Sequence, residues 1–596
     1  MDGLIYEPLK FYSERARDEH KRNLTEHFDS LLSRSGVNVE ENRRGVAEYD
    51  NFNLNIKKLS KKITGLKVAM GFLIALSVLG IISLIAAVFM FINESSLAVP
   101  FLIFGIIASP LGFSIAFTVI KKKIKKLKEE LTSLSEKRDA IYAKLLAEMA
   151  PLNALFDSAD TLRLIEKTVP DIKFDTEYTN EREEELITEY DYVDLTDLDT
   201  SVIDVLSGRM FGNPFLFERY REFRMGTKTY HGTLTISWTE SYTDSKGNRR
   251  TRRRTQVLHA EVTKPAPEYT VETHLGFGSS AAPDLSFSRN ESDTDELSEA
   301  ALARRIRAGE KKLRKRAREA VMNSDSFQEM SNSEFDVLFG AHDRDHEVQF
   351  RLMYTPLAQN NTVDLLRSNE GFGDDFNFIK RGRFNIVKSN HAKSWDMDLS
   401  AKRYASHSVD LARSSFIDFN TAYFKSVFFD LAPLMAVPAY HDEPVESMKK
   451  PKEYKGNYTS YEHEILANRI GEKYFRPEDA RTMSILKTHT VEKCDGVDRV
   501  AVTAYSFRAE DRVDFVPVFG GDGRMHLVSV PWIEYIPTSK TSEMLVKSLG
   551  HTERELRYKS GGLTYPQSAY LHGLMAYTSS TPESFEDAKK VFDKFI

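Results

Sequence analysis

From Val68 to Ile92, and again from Leu97 to Ile120, the chain carries no Asp, Glu, Lys, Arg, His, Asn or Gln. As a helix, each run extends roughly 36 Å, against a bilayer hydrocarbon core of about 30 Å. A core helix of a soluble domain normally keeps charged residues on at least one face, and these runs keep none. The residues between them, Asn93-Glu94-Ser95-Ser96, are enough only for a turn. The pattern therefore predicts a two-span transmembrane hairpin, with Pro110 kinking the second span.

The flanks set its direction. Lys57, Lys58, Lys61, Lys62 and Lys67 precede the first run, and Lys121, Lys122, Lys123, Lys125, Lys126 and Lys128 follow the second. Positive charge stays on the cytoplasmic side, so a multi-pass protein of the cell membrane with both termini cytoplasmic is expected. With almost nothing outside, an extracellular receptor is disfavoured, and with no ionisable residue inside, so is a transporter or proton channel. Gly105 and Ser109 give one small-xxx-small pair for helix contact.

Both spans continue as helices. Phe52, Ile56, Leu59, Ile63 and Leu66 before the first, and Ile124, Leu127, Leu131, Leu134, Ile141 and Leu145 after the second, follow a 3-4 rhythm. Two such helices leaving one tight turn predict an antiparallel coiled coil, which also offers a route to an oligomer.

The rest reads as soluble. Of 596 residues, 29% are charged and 41% hydrophobic, and the net charge is -6. Cys494 is the only cysteine, which excludes an intrachain disulfide and any cysteine-based zinc finger. The expected class is α+β: an N-terminal helical segment (1–45), the hairpin with its coils (46–150, spans 68–92 and 97–120) and an acidic connector (151–200). A β-rich module (201–290), a basic helix (291–325), a mixed antiparallel β and helix domain (326–540) and a C-terminal helical segment (541–596) follow. The acidic stretch Asp171–Asp199 shows no apolar rhythm and reads as a solvated connector. Leu234, Ile236 and Trp238 alternate before Lys246-Gly247-Asn248, and Leu258, Ala260 and Val262 alternate after it, which predicts a long β-hairpin. Phe416, Phe419, Tyr423, Phe424, Phe428 and Phe429 mark the core face of a helix. "DRVAVTAYSF", "DRVDFVPVF" and "RMHLVSVPWIEYI" predict a meander turning at Gly520–Gly523, and Thr581-Pro582 opens a capped last helix.

Two basic blocks stand out. The hairpin return carries Arg249, Arg250, Arg252, Arg253 and Arg254. The following helix carries Arg304, Arg305, Arg307, Lys311, Lys312, Arg314, Lys315, Arg316 and Arg318. Such blocks meet phosphate on anionic lipid, at about 1 kcal/mol per residue, or on nucleic acid. No aromatics interleave the arginines, so nucleic acid is the less favoured partner.

No P-loop, dinucleotide fingerprint or G-x-S-x-G elbow occurs, "GFGSS" at Gly276 reads as a turn, and "HEILA" at His463 lacks the second ligand of HExxH. The densest chemical cluster is "AHDRDHEVQF". His342, Asp343, Asp345 and His346 could hold a divalent metal that activates water, and His441-Asp442-Glu443 is the candidate companion. Val348, Phe350 and Leu352 alternate beyond it, which predicts a strand. No other cofactor is expected.

The hairpin with its coils, "YTDSKGNRRTRRRTQVLHAEVTKP", "FGAHDRDHEVQFRLMYTPLAQ" and "YFKSVFFDLAPL" together resemble a family of uncharacterised bacterial membrane proteins with an N-terminal two-span hairpin and a large cytoplasmic domain. That resemblance implies the architecture and no catalytic residues. The hairpin alone is also similar to that of eukaryotic membrane-shaping proteins such as lunapark, but the cysteines of their zinc finger are missing. The expectation is a membrane-anchored cytoplasmic scaffold or tether, not an enzyme, that binds a protein partner and anionic lipid. The alternatives are a membrane-anchored metal-dependent hydrolase and a tether of nucleic acid to the membrane.

Overall fold

Among the described residues, twelve strands, all paired antiparallel, build two sheets. They are β1 (Ile172–Phe174), β2 (Thr200–Met210), β3 (Asn213–Thr243), β4 (Arg249–Gly278), β5 (Ser286–Arg289), β6 (Phe376–Arg381), β7 (Phe384–Ser389), β8 (Ile485–Cys494), β9 (Val497–Phe519), β10 (Met525–Ser548), β11 (Ser568–Leu571) and β12 (Leu574–Tyr577). The seven-stranded sheet runs β1-β2-β3-β4-β7-β6-β5 and the five-stranded one β11-β12-β10-β9-β8. The computed structural model describes residues 6–92, 98–176, 178–193, 199–243, 248–323, 327–441, 460–494, 497–548, 568–571 and 574–578. The polar island Asn93–Ser96, the turn residues Lys246 and Gly247, the pair Asp442-Glu443 and the helix expected from Thr581 lie outside them.

The class is α+β, with two long apolar helices near the N-terminus and a large antiparallel-sheet region. Two compact units share the chain. One comprises Met1–Thr25, Asp157–Ser400 and Asp418–Ile596, and the other Glu26–Phe156 and Ala401–Ile417. In the first unit one sheet takes strands from both sides of positions 290 and 325. β6 and β7 complete the sheet begun by β1 to β5, because Leu275 to Gly278 of β4 pair with Val387 to Phe384 of β7.

The second unit holds the two helices that, among the described residues, are long and apolar enough to cross a membrane, Val39–Ile92 and Val99–Asn153. They touch where side chains are smallest. A Cβ on Gly80 would stand 2.9 Å from the Ser109 backbone nitrogen, and one on Gly105 would stand 2.7 Å from the Gly80 carbonyl oxygen. Further along, Ile63 packs with Ile120 and Ile124. Residues from 401 to 417 bind both helices at their polar ends. The Asn42 side-chain amide donates to the His407 carbonyl (3.0 Å) and accepts from Val409 N–H (3.0 Å), while Arg43 grips Asp410 through two bonds of 3.0 Å. Asn153 exchanges two bonds with the Ser406 backbone, at 3.0 and 3.2 Å. Phe28, Phe156, Tyr404 and Phe416 form an aromatic cluster beside them.

In the first unit, the core of the seven-stranded sheet is Phe215, Phe217, Leu275, Phe277, Phe287, Phe378 and Val387. Tyr423, Phe424 and Phe428 of helix Val409–Met435 cover it, as the aromatic stripe predicts. A second core joins Val500, Val502, Ala504, Met544 and Val546 to Ile465 and Leu466. The acidic stretch is not a solvated connector in its described part. It contains helix Asn180–Tyr190, and Leu186, Tyr190 and Tyr192 are buried. Two of its carboxylates are matched there: Arg182 holds Asp175 (2.9 Å) and Glu185, and Arg209 also reaches Glu185 (2.5 Å). "GFGSS" is not a turn throughout, since Gly276 and Gly278 end β4, where the rings of Phe384 and Tyr190 leave no room for a Cβ.

β3 and β4 pair without a slip from Phe215↔Phe277 to Thr243↔Arg249, so the ribbon runs far beyond the sheet. The three-strand meander is instead one ribbon, because "DRVAVTAYSF" and "DRVDFVPVF" are both parts of β9, paired with β10 from Val497↔Lys547 to Phe519↔Met525. The two ribbons stack as an arm. Ile236, Leu258 and Ala260 of the first meet Val528 and Val530 of the second, with Leu234, Trp238, Val516 and Val518 around them. Gly232 permits this approach, since a Cβ there would strike the Ser529 carbonyl. Overpacking of this kind costs about 1–3 kcal/mol. Gly232→Val is therefore expected to lower the unfolding free energy measured in urea by that amount, whereas Thr233→Val, on the outer face, leaves it unchanged.

Candidate functional site

The four metal candidates do not converge. The His342 Nε2 lies 3.1 Å from the Asp336 carbonyl oxygen. The Asp343 carboxylate accepts from Ser288 N–H (2.8 Å) and Ser288 Oγ (2.5 Å), and Asp345 accepts from Ser286 N–H (2.7 Å). His346 caps helix Glu347–Met353 by accepting from Gln349 N–H (3.3 Å). The strand expected over Val348–Leu352 is thus this helix: alternation over so few residues does not separate the two periods, and the N-cap decides. β5 is the edge of its sheet. Two aspartates spaced two apart give its outward N–H groups the partners that a neighbouring strand would give. Between them, Arg344 is buried, bonded to Asp336 (2.7 Å) and Glu347 (2.7 Å), with its guanidinium 4.6 Å from the Phe327 ring centre and 4.5 Å from that of Phe350. The density of charge serves the edge and this hub. Among the described residues, no group of three or more His, Cys, Asp or Glu is placed to hold a metal ion. His441 stacks on Phe211 (3.7 Å) and does not join the cluster. Cys494 closes β8, paired with Val497.

The basic blocks lie on exposed surface. Strand alternation splits the five arm arginines between faces. Arg250, Arg252 and Arg254 stand across from Tyr242, Glu240 and Trp238, on the face that meets the second ribbon. Arg252 (3.3 Å) and Arg254 (2.9 Å) both bind Glu240. Arg249 and Arg253 face outward, across from Thr243 and Thr239, exposed and with no partner among the described residues.

Helix Glu299–Asn323 buries Leu302, Leu313 and Ala320. Directly opposite, Arg304, Arg307, Lys311, Lys315 and Arg318 form one exposed stripe at three- and four-residue spacing. Arg305 pairs with Asp293, Arg314 with Glu310 (3.7 Å) and Lys315 with Glu319 (3.6 Å), and Arg316 lies over the Phe327 ring (4.4 Å). Arg307, Lys311, Lys312 and Arg318 have no partner among the described residues. Four unmatched cations on a rigid helix present a standing positive field.

One further cluster escaped the sequence reading. His391 Nδ1 lies 2.7 Å from Asp375, its Nε2 lies 3.5 Å from Asp430, and Ser389 Oγ donates to Asp430 (2.6 Å). Phe372 stacks flat on the imidazole at 3.7 Å, with Lys425 Nζ over the Phe372 ring (4.7 Å). A recess lined by Leu365, Phe372, Asp375, Phe376 and Phe429 opens beside it, with free space for about one water. Burial pulls the imidazolium down, but the charge of Asp430 and the bond and charge of Asp375 outweigh it and hold His391 above its ordinary range. Burial pushes the Asp430 carboxyl up to about 6. The three residues come from the approach to β6, the short helix Asn390–Ser394 after β7 and the aromatic helix, so no local spacing betrays them.

No family model, curated protein or solved structure matches this chain.

Two predictions follow from these geometries. Asp343→Ala and Asp345→Ala each remove an edge bond, and each is expected to cost about 1 kcal/mol in thermal melts, equally with and without a chelator. A loss confined to metal-replete protein would return the pair to a metal site. In the second cluster both groups hold protons more tightly when folded. The contribution of Asp430 is complete below about pH 4 and lost as the pH rises through about 6, and that of His391 is lost above its raised value. The melting temperature of His391→Gln should therefore fall less than that of the parent between pH 6 and 8.

Proposed function

We propose that this chain is a membrane-anchored scaffold that presents a cationic β arm and a cationic helix to an anionic partner in the cytoplasm. In this reading the apolar helices cross the membrane as a hairpin, and their polar continuations form an antiparallel coiled coil. Two features support the anchor. Only 22% of the most apolar window of either helix is buried, so the greasy surface is turned outward, and lysines crowd both polar ends. A bilayer is the solvent in which such a surface is stable.

The observation that carries the binding role is the set of unmatched cations on rigid supports: Arg249 and Arg253 on the ribbon, and Arg307, Lys311, Lys312 and Arg318 on the helix. The fold fixes where these charges stand, and clustered like charges attract carboxylate or phosphate groups. A hydrolase built on His342, Asp343, Asp345 and His346 would first have to break the bonds that hold β5. Nucleic acid is the competing partner, because the same cations suit its backbone.

The test is recovery of the full chain in mild detergent, without vesicles, before and after nuclease. A stoichiometric protein partner is expected to survive nuclease and to fall at least tenfold in yield with Arg249→Glu/Arg253→Glu or Lys311→Glu/Lys312→Glu. A partner lost to nuclease would make the chain a nucleic-acid tether. A partner indifferent to every charge reversal would refute the cationic sites.

A further inference from the structure

Among the described residues of its unit, nothing covers the outer face of the second ribbon. Val513, Phe515, Phe519, Met525 and Leu527 are 51%, 64%, 65%, 59% and 63% exposed. The register sets them side by side: Phe519↔Met525, Pro517↔Leu527, Phe515↔Ser529 and Val513↔Pro531. From Val513 to Phe519 and from Met525 to Pro531, this face carries no charge. Soluble proteins seldom leave so continuous an apolar strip to water.

The edges of the same ribbon are closed to strand addition. β8 pairs β9 only as far as Tyr505, and β12 pairs β10 only at Leu545–Ser548, so both edges of the arm lack a neighbouring strand among the described residues. Pro517, Pro531 and Pro537 all fall on the same alternation of an unbroken ladder, across from Leu527, Val513 and Phe507. Proline has no N–H to give, so these are the positions whose N–H groups would point outward. A fourth and fifth proline, Pro265 and Pro267, share one alternation on β4. The arm thus refuses a partner strand at its edge and offers its broad face instead.

Cations border that face at its outer end. Arg524 is exposed beside Met525. The turn at Gly520–Gly523 seats against the first ribbon through Gly521 N–H to Gln256 Oε1 (2.7 Å). Beyond that level, among the described residues, the first ribbon continues alone, and its side towards the second ribbon carries Arg250, Arg252 and Arg254, the last two sharing Glu240, while Arg249 and Arg253 face the other way. A row of phenylalanine, methionine and leucine ending in arginines matches a surface that is anionic outside and apolar beneath, which is an anionic lipid leaflet.

We propose that the tip of the arm lies in the headgroup region of an anionic leaflet, with Phe515, Phe519, Met525 and Leu527 in contact with acyl chains. This rests on the anchored reading, since the anchor keeps a bilayer at high effective concentration. Penetration is shallow. The unpaired backbone groups along the ribbon edges stay hydrated, and only side chains enter the hydrocarbon boundary.

The experiment uses the full chain with Cys494→Ser and one new cysteine, Leu527→Cys or Phe519→Cys, bearing an environment-sensitive fluorophore. The control is Thr235→Cys on the polar outer face of the first ribbon. All are reconstituted into vesicles of equal parts phosphatidylglycerol and phosphatidylcholine, with and without brominated acyl chains. At 527 and 519 the emission should shift to the blue and lose most of its intensity to bromine, and severalfold less should be lost in pure phosphatidylcholine. The label at 235 should not respond. Labels at 527 and 519 that behave like the one at 235 would overturn the proposal. So would a blue shift without bromine quenching, accompanied by cross-linking between chains at 527, which would assign the face to a second copy. A failed anchor would show separately as protein that does not incorporate into vesicles. The detergent recovery, done without lipid, tests the cationic sites alone.

Discussion

The unbroken register between β3 and β4 is the constraint on which the first unit hangs. At one end it supplies the centre of the seven-stranded sheet, where Phe215 and Phe217 of β3 and Leu275 and Phe277 of β4 enter the core. At the other end the same two strands leave the sheet and become one wall of the arm. A slip of β3 by one residue would turn Leu234 and Ile236 to water and Thr233 and Thr235 inward, undoing sheet and arm together. An isolated two-stranded ribbon is barely stable in water. The second ribbon stabilises the first by covering its apolar face, and each exists as a long extension because the other does.

That arrangement gives the arm two unlike outer faces. On the first ribbon, Thr229, His231, Thr233, Thr235 and Ser237 make a polar surface. On the second, Phe515, Phe519, Met525 and Leu527 make an apolar one. The seam between them is reinforced by polar contacts as well, with Lys264 bonded to Asp514 (2.7 Å) and lying over the Trp532 ring (4.3 Å). A domain that needed only a core would have no reason to carry such a surface so far from it.

Much of this was written locally in the sequence. The period-two alternation of Leu234, Ile236 and Trp238 was legible because one face of the ribbon is covered and the other is not. The helix from Val409 was legible because its aromatics return every three or four residues. β9 was misread as two strands because Arg508, Glu510 and Arg512 interrupt its apolar face. There the ribbon leaves one core before reaching the next, and Arg512 binds Glu534 (2.7 Å) and Glu510 (2.9 Å) in place of apolar packing. The acidic stretch looked solvated because Arg209, one of the cations that match it, lies on β2, beyond its end. The "HDRDH" run looked like a ligand set because its purpose, the edge of β5, lies about fifty residues earlier in the chain. Asp375, His391 and Asp430 gave no signal at all, since only the fold brings them together.

Everything proposed for the arm and the basic helix assumes that the apolar helices cross the membrane with both polar ends in the cytoplasm. Labelling of intact cells with a membrane-impermeant maleimide tests this directly, using Ser95→Cys and Ser135→Cys in a Cys494→Ser background. A membrane hairpin predicts that the Ser95→Cys protein reacts in intact cells and that the Ser135→Cys protein reacts only after permeabilisation. Reaction of the Ser135→Cys protein in intact cells, or of neither until the cells are opened, would contradict it.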